Sequence, residues 1–126
     1  MKIVAGLVLV LVVSTVSMAA PADTRTLQLW TCTVNDGKTP ADVQAMNAKW
    51  LKFVNSKVKG GDIRSFVLTP VVGELGKFMF IDSYPSVESW AAQVTALATP
   101  EGVALEAEFN TVNTCTSSSV SSSTES

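Results

Sequence analysis

Apolar residues recur with two different periods along this chain, and the switches between periods predict its elements. From Thr26 to Val34 (TLQLWTCTV) apolar and polar positions alternate and β-branched and aromatic residues are frequent, which predicts a first strand. Leu27 and Leu29 lie on one face of that strand, and Gln28, Trp30, Cys32 and Val34 on the other. Asn35-Asp36-Gly37 reads as a turn. Thr39-Pro40-Ala41-Asp42 then opens a helix: Thr39 can cap, Pro40 fits a first position that needs no N–H, and Asp42 favours the positive helix end. Val43, Met46, Asn47, Trp50, Phe53, Val54 and Lys57 recur at helical spacing until Gly60-Gly61, and Asn47 is the polar oddity of a mostly apolar stripe.

Ile63–Thr69, closed by Pro70, and Lys77–Tyr84 read as strands 2 and 3, joined by the Gly-punctuated stretch Val71–Gly76. Both strands are apolar on both faces: Phe66 and Leu68 oppose Val67, and Phe78 and Phe80 oppose Met79 and Ile81. A sheet apolar on both sides must be covered on both, and one layer of helices covers only one. Ser86 caps a second helix with Val87, Trp90, Ala91, Val94 and Leu97 on one stripe. Thr99-Pro100-Glu101 repeats the opening seen at Thr39-Pro40 and starts a third, shorter helix whose apolar face is Leu105, Phe109 and Val112.

The N-terminus does not belong to this pattern. Lys2 precedes the apolar run Ile3–Val13 and the small, weakly polar Ser14–Ala20, the arrangement of a signal peptide. The preferred cut falls after Ala19, giving a signal over 1–19, with Ala20-Pro21-Ala22 as a second possibility. The run is short of the roughly 20 apolar residues that a spanning helix needs, so the expected product is exported, periplasmic or extracellular, with no membrane association after cleavage. A short polar leader (20–26), one domain (27–121) and a Ser-rich tail (122–126) then account for a chain of 126 residues.

Charge and composition remove several functions. The formal net charge is −2, with Lys and Arg spread along the chain, which is not the basic footprint of a nucleic-acid binder. There is no His, hence neither the commonest metal ligand nor the commonest base near neutral pH. Cys32 and Cys115 are the only cysteines, and in an exported protein a pair favours a disulfide over a metal site, for which two sulfurs are too few. Cys115 opens the Ser/Thr-rich end of the chain, which composition alone would leave disordered. A partner for Cys115 suggests instead a fourth strand antiparallel to strand 1, with Cys115 opposite Cys32, Ser117 facing Trp30, Ser119 facing Gln28 and Val120 opposite Leu27. The order β-α-β-β-α-(α)-β is then the ferredoxin-like α+β arrangement, a four-stranded antiparallel sheet in the order 4-1-3-2 with the helices on one face.

The segments FMFIDSYPSVESWAAQ and TPADVQAMNAKW, with the extra helix before the last strand, resemble the dimeric α/β-barrel superfamily that includes antibiotic-biosynthesis-monooxygenase-like domains. The resemblance spans nearly the whole chain after the signal and is one of fold, not of a catalytic motif. It implies a homodimer whose bare sheet faces pair across a two-fold axis, and a pocket between sheet and helices. Haem-degrading relatives use an Asn on strand 1, an aromatic residue at the strand 3–helix 2 corner and a His on helix 2. This chain has Trp30 and Thr31, Tyr84, and Gln93 and Val94 at those places, so the haem reading fails for want of an imidazole. No cofactor and no metal are expected.

Candidate site residues follow from face and position. Asp82 shares a face with Phe78 and Phe80; buried, its carboxyl would titrate high and act as a base, whereas at a wet strand end it would cap or pair with a Lys. Asn47 can orient a ligand or bond a neighbouring backbone group. Trp30, Trp50 and Trp90 can line a pocket or fill the core. Tyr84, at the corner, is a pocket candidate or a structural hydrogen-bonder. Three functions remain in play: a homodimeric binding or accessory domain for a small apolar or aromatic ligand, a cofactor-independent monooxygenase-like enzyme on an aromatic or polyketide-type compound, and a structural protein of the cell envelope tethered by its Ser-rich end.

Overall fold

The computed structural model describes residues 24–126; the segment read as a signal peptide, both cleavage sites and the first part of the leader lie outside it. Seven elements follow in order: β1 (Thr24–Val34), α1 (Pro40–Lys57), β2 (Arg64–Leu68), β3 (Phe78–Tyr84), α2 (Val87–Leu97), α3 (Pro100–Val112) and β4 (Asn113–Thr124). The strands form one sheet in the order β2-β3-β1-β4, antiparallel throughout, which is the ferredoxin-like α+β arrangement that the sequence predicts.

Strand β1 starts at Thr24, so Thr24–Thr26 belong to the sheet and not to a leader. Arg25 is the reason. Its guanidinium donates to Asp62 Oδ2 (2.9 Å), to the Asp62 carbonyl (2.6 Å) and to Ser83 Oγ (2.6 Å), fastening the start of β1 to β3 and to the turn before β2. Helix α1 opens as expected: Thr39 Oγ1 accepts from the Asp42 N–H while Asp42 Oδ2 accepts from the Thr39 N–H. Its stripe Val43, Met46, Asn47, Trp50, Phe53 and Val54 is buried, and Lys57 is exposed. The core these residues form with Cys32, Phe78, Phe80, Leu105 and Val112 lies on one face of the sheet, beneath the helices.

Helix α2 corrects the predicted stripe. Gln93 and Ala96 are buried with Trp90 and Leu97 packed beside them, while Val87 and Val94 are 58% and 48% exposed. Polar anchoring sets the rotation: Trp90 donates its indole N–H to Gln28, and Tyr84 donates to Gln93. Helix α3 is longer than α2, 13 residues against 11, where a shorter helix was predicted. It packs against α2 through Gly102, where a Cβ would stand 2.5 Å from the Ala96 carbonyl oxygen and from Leu97 Cα.

Strand β4 pairs Cys115 with Cys32, and the disulfide forms as the sequence predicts. Beyond it the predicted register is overturned. A bulge lies between Thr31 and Cys32, and Thr116 is the extra residue, so Thr31 faces Ser117, Trp30 faces Ser118, Leu29 faces Ser119 and Gln28 faces Val120. One inserted residue turns every later side chain to the other face, which carries Val120 away from Leu27 to the helix side. The strand also continues through Thr124, three residues into the segment expected as a tail.

The opposite face of the sheet carries Phe66 and Leu68, 52% and 41% exposed, with Leu27, Leu29, Met79 and Ile81 half-buried around them. No helix among the described residues is long and apolar enough to cross a membrane.

Candidate functional site

Between the sheet and the helices lies a cavity of about 370 Å³, within the size range of small-molecule sites, roughly 300–1,000 Å³. Its walls are aromatic: Trp30 from β1, Trp50 from α1, Phe80 from β3 and Phe109 from α3, with Val94 and Leu97 of α2 completing the apolar part. The Phe80 and Phe109 ring centroids are 5.4 Å apart. Cys115 also reaches the cavity wall, so the disulfide braces the site.

The polar floor comes from strand alternation. Inward positions of β3 are Phe78, Phe80, Asp82 and Tyr84, and the ladders place Asp82 directly opposite Gln28 on β1 and Ser65 on β2. Asp82 is 5% exposed, so the buried reading of this residue holds and the wet strand end does not. Ser65 Oγ donates to Asp82 Oδ1 at 2.5 Å, and Asn47 Nδ2 donates to Ser65 Oγ at 3.0 Å. The odd residue of the α1 stripe thus reaches Asp82 through one hydroxyl. Burial pushes the Asp82 carboxyl up to about 6, against the pull of the Ser65 and Trp30 donors, and the Glu106 carboxylate adds to the rise. Glu106, on α3, is itself raised by burial, with the Trp50 donor acting in the other direction.

Four of the five sequence candidates, Asp82, Asn47, Trp30 and Trp50, therefore meet in one cavity. Tyr84 does not line it. Fully buried, it donates to Gln93 Oε1 at 3.2 Å and supports the wall from behind, with its phenol held un-ionised by burial and by the carboxylates of Asp82 and Glu106. Trp90 likewise stands behind the wall, donating to Gln28 Oε1 at 3.1 Å. The sequence reading missed Gln28, Gln93, Glu106, Phe109 and Asn110 as lining residues. Gln28 was legible as an inward position of β1, and Glu106 as a carboxylate beside Leu105 and one turn before Phe109 and Asn110. Gln93 was hidden by the predicted rotation of α2.

No cation lines the cavity, and no group of three or more His, Cys, Asp or Glu side chains able to hold a metal ion occurs among the described residues. The arrangement provides an aromatic-walled cavity, a buried carboxyl whose proton affinity burial raises, and several carboxamides.

No family model matches the sequence, and no curated protein matches it. Solved structures do. SnoaB, a cofactor-independent oxygenase from Streptomyces nogalater, superimposes with a TM-score of 0.59 at 17% identity, over 83% of this chain and 97% of its own. An uncharacterized NIPSNAP domain protein from Burkholderia xenovorans gives 0.54 at 17% identity, over 80% of this chain and 94% of its own. Identities this low establish a shared fold, the one that the sequence resemblance implies, and nothing of activity.

Proposed function

We propose that the protein is a cofactor-independent oxygenase acting on a phenolic aromatic compound held in this cavity. The observation that carries the reading is Asp82: a buried carboxyl, hydrogen-bonded by Ser65, at the floor of an aromatic slot without cations. Its proton affinity, raised to about 6, suits it to take a phenolic proton near neutral pH. The resulting electron-rich phenolate can reduce O₂, and a bond from a ring carbon to oxygen gives a hydroperoxide. Loss of water then leaves a quinone. One oxygen atom stays in the product and the other leaves as water, which takes up the substrate's two hydrogens, one of them by way of Asp82. The likeness in fold to a cofactor-independent oxygenase is in keeping with this chemistry.

The test is oxygen uptake with hydroquinone-type and polycyclic phenols. Turnover is expected, with Asp82→Asn lowering kcat about a hundredfold or more. Uptake unaffected by Asp82→Asn, or none with any phenol, rejects the enzyme. In the latter case a molecule retained through purification would leave the cavity as a plain binding site.

Two properties of the whole protein complete the proposal. The chain is exported, its disulfide being suited to an oxidising compartment, and the open sheet face around Phe66 and Leu68 is covered by a second copy. Native mass spectrometry of the oxidised, secreted protein reads mass, processing and stoichiometry together; an unprocessed N-terminus or a monomer at micromolar concentration rejects the corresponding half.

A further inference from the structure

Gln28 and Gln93 sit on different elements, yet each has its side-chain oxygen occupied by an aromatic donor, half-buried Trp90 and buried Tyr84. The Trp90 indole N–H can only donate, so it fixes the Gln28 amide with Oε1 toward Trp90 and Nε2 away from it. The Tyr84 hydroxyl donates to Gln93 Oε1, which leaves Gln93 Nε2 on the side away from Tyr84. Both glutamines are at least nine-tenths buried, 9% and 4% exposed, and neither Nε2 donates a hydrogen bond to any described residue. Those amide groups are not sealed inside protein, since Ser89 Oγ is the one fully buried side-chain polar atom without a partner among the described residues. Both amides thus keep some exposure, and both residues line the cavity. Gln28 is moreover the cross-strand partner of Asp82, a pairing that holds Cβ atoms about 4.5–5.5 Å apart.

We infer that the Nε2 groups of Gln28 and Gln93 form a two-donor cradle for a ligand oxyanion beside Asp82. This rests on the phenol-oxygenase reading and supplies what that reading lacks. Once Asp82 has taken a proton it is neutral, and the charge passes to the ligand oxygen. No Lys or Arg lines the cavity, so neutral dipoles must hold that charge. Preset N–H donors do so without reorganising. The ligand class follows: an aromatic ring suited to a cavity walled by Trp30, Trp50, Phe80 and Phe109, bearing a hydroxyl acidic enough to share its proton with a buried carboxyl. Carboxylate ligands, which bring a charge with no proton to give up, are disfavoured beside Asp82 and Glu106.

The probe is 4-nitrophenol, whose phenolate is yellow, with 4-nitrotoluene as a control of the same shape without a hydroxyl. Binding is followed without oxygen at pH 7, by colour and by quenching of tryptophan fluorescence. The bound dye is expected to hold more phenolate than the free dye at the same pH. Gln28→Glu and Gln93→Glu keep an oxygen for Trp90 and Tyr84 but remove the donors, and each is expected to lower phenolate binding about tenfold, as for one lost hydrogen bond to a charged group. The uncharged Gln28→Met and Gln93→Met must move in the same direction, and 4-nitrotoluene affinity must stay constant in all four. A colourless bound dye, no binding of the dye, or equal loss of dye and control overturns the cradle. A phenolate-selective site that consumes no oxygen with any phenol keeps the cradle and removes the oxygenase; turnover without phenolate selectivity does the reverse.

Discussion

The two faces of the sheet are built from the same three strands, β1, β3 and β2, and treat polarity in opposite ways. The helix face carries Gln28, Asp82 and Ser65 in one row across β1, β3 and β2, the first two buried and Ser65 half-buried, each hydrogen-bonded and all meeting at the cavity or just beneath it. The open face has Phe66, Leu68, Met79, Ile81, Leu27 and Leu29 over the same area, and its polar contacts cluster at one end with Arg25, Asp62 and Ser83. Burying polar groups costs free energy unless they are paired, and this row is paired internally, by Trp90 for Gln28 and by Ser65 for Asp82. Apolar rings left in water are also unfavourable, and they mark a face shaped for another protein surface. The same alternation that builds a strand thus separates the proposed site from the proposed interface.

The comparison breaks most readily at two phenylalanines. Phe80→Ala, on the helix face, is expected to cost about 3–5 kcal/mol in denaturant unfolding at any protein concentration. Phe66→Ala should cost less than about 1 kcal/mol in dilute protein, where its ring is wet, and should weaken association at high concentration. Equal costs at both concentrations would mean that the open face is not an interface.

Next in size is the brace that joins the seam of β1 and β4 to the cavity. Cys32→Ser with Cys115→Ser frees a loop spanning 83 positions, which is worth about 4 kcal/mol in the chain-entropy model. Retention of full stability under oxidising conditions would show that β4 holds without it.

Asp82 sharpens the comparison through pH. Its folded carboxyl ionises near 6, whereas in the unfolded chain an Asp ionises near 4, about its ordinary value. Between those values the native protein holds the extra proton, so stability falls as pH rises from about 4 through 6. At pH 7 the full cost is present, on the order of 3 kcal/mol, and Asp82→Asn should recover most of it while lowering the proposed turnover. Glu106, also raised, contributes in the same direction. An unchanged stability profile between pH 4 and 7 in Asp82→Asn would sink this account.

The smallest effect belongs to α2. Val87→Ser should change stability by no more than about 0.5 kcal/mol, since the side chain is mostly exposed.

Strand faces, helix starts and the disulfide were readable because each rests on a local signal: period two in β1 and β3, a Thr-Pro opening at Thr39 and Thr99, a pair of cysteines. The rotation of α2 was not, because apolarity ranks Val87 and Val94 above Gln93, while the fold ranks a hydrogen bond to Tyr84 above either. Half of the site was legible for a related reason. Asp82, Asn47, Trp30 and Trp50 stand out as polar residues in apolar stripes or as large rings. Tyr84 stands out too, but its hydroxyl is spent on Gln93, and only the three-dimensional partner shows that the glutamine faces the cavity in its place.

Strand β4 is nearly ambiguous as written. On either side of Val120 it repeats three serines, 117–119 and 121–123, so a slip by one position exchanges serine for serine almost everywhere. Two registers are spelled by one string, and Thr116 supplies the slack that lets the strand choose between them after the sulfur bridge. Val120 is the single letter that differs, inward beside Gln28 in one frame and outward by Leu27 in the other. A chain reading Ser at that position would lose its punctuation, and its last strand would be free to drift between two frames while every backbone hydrogen bond still found a partner.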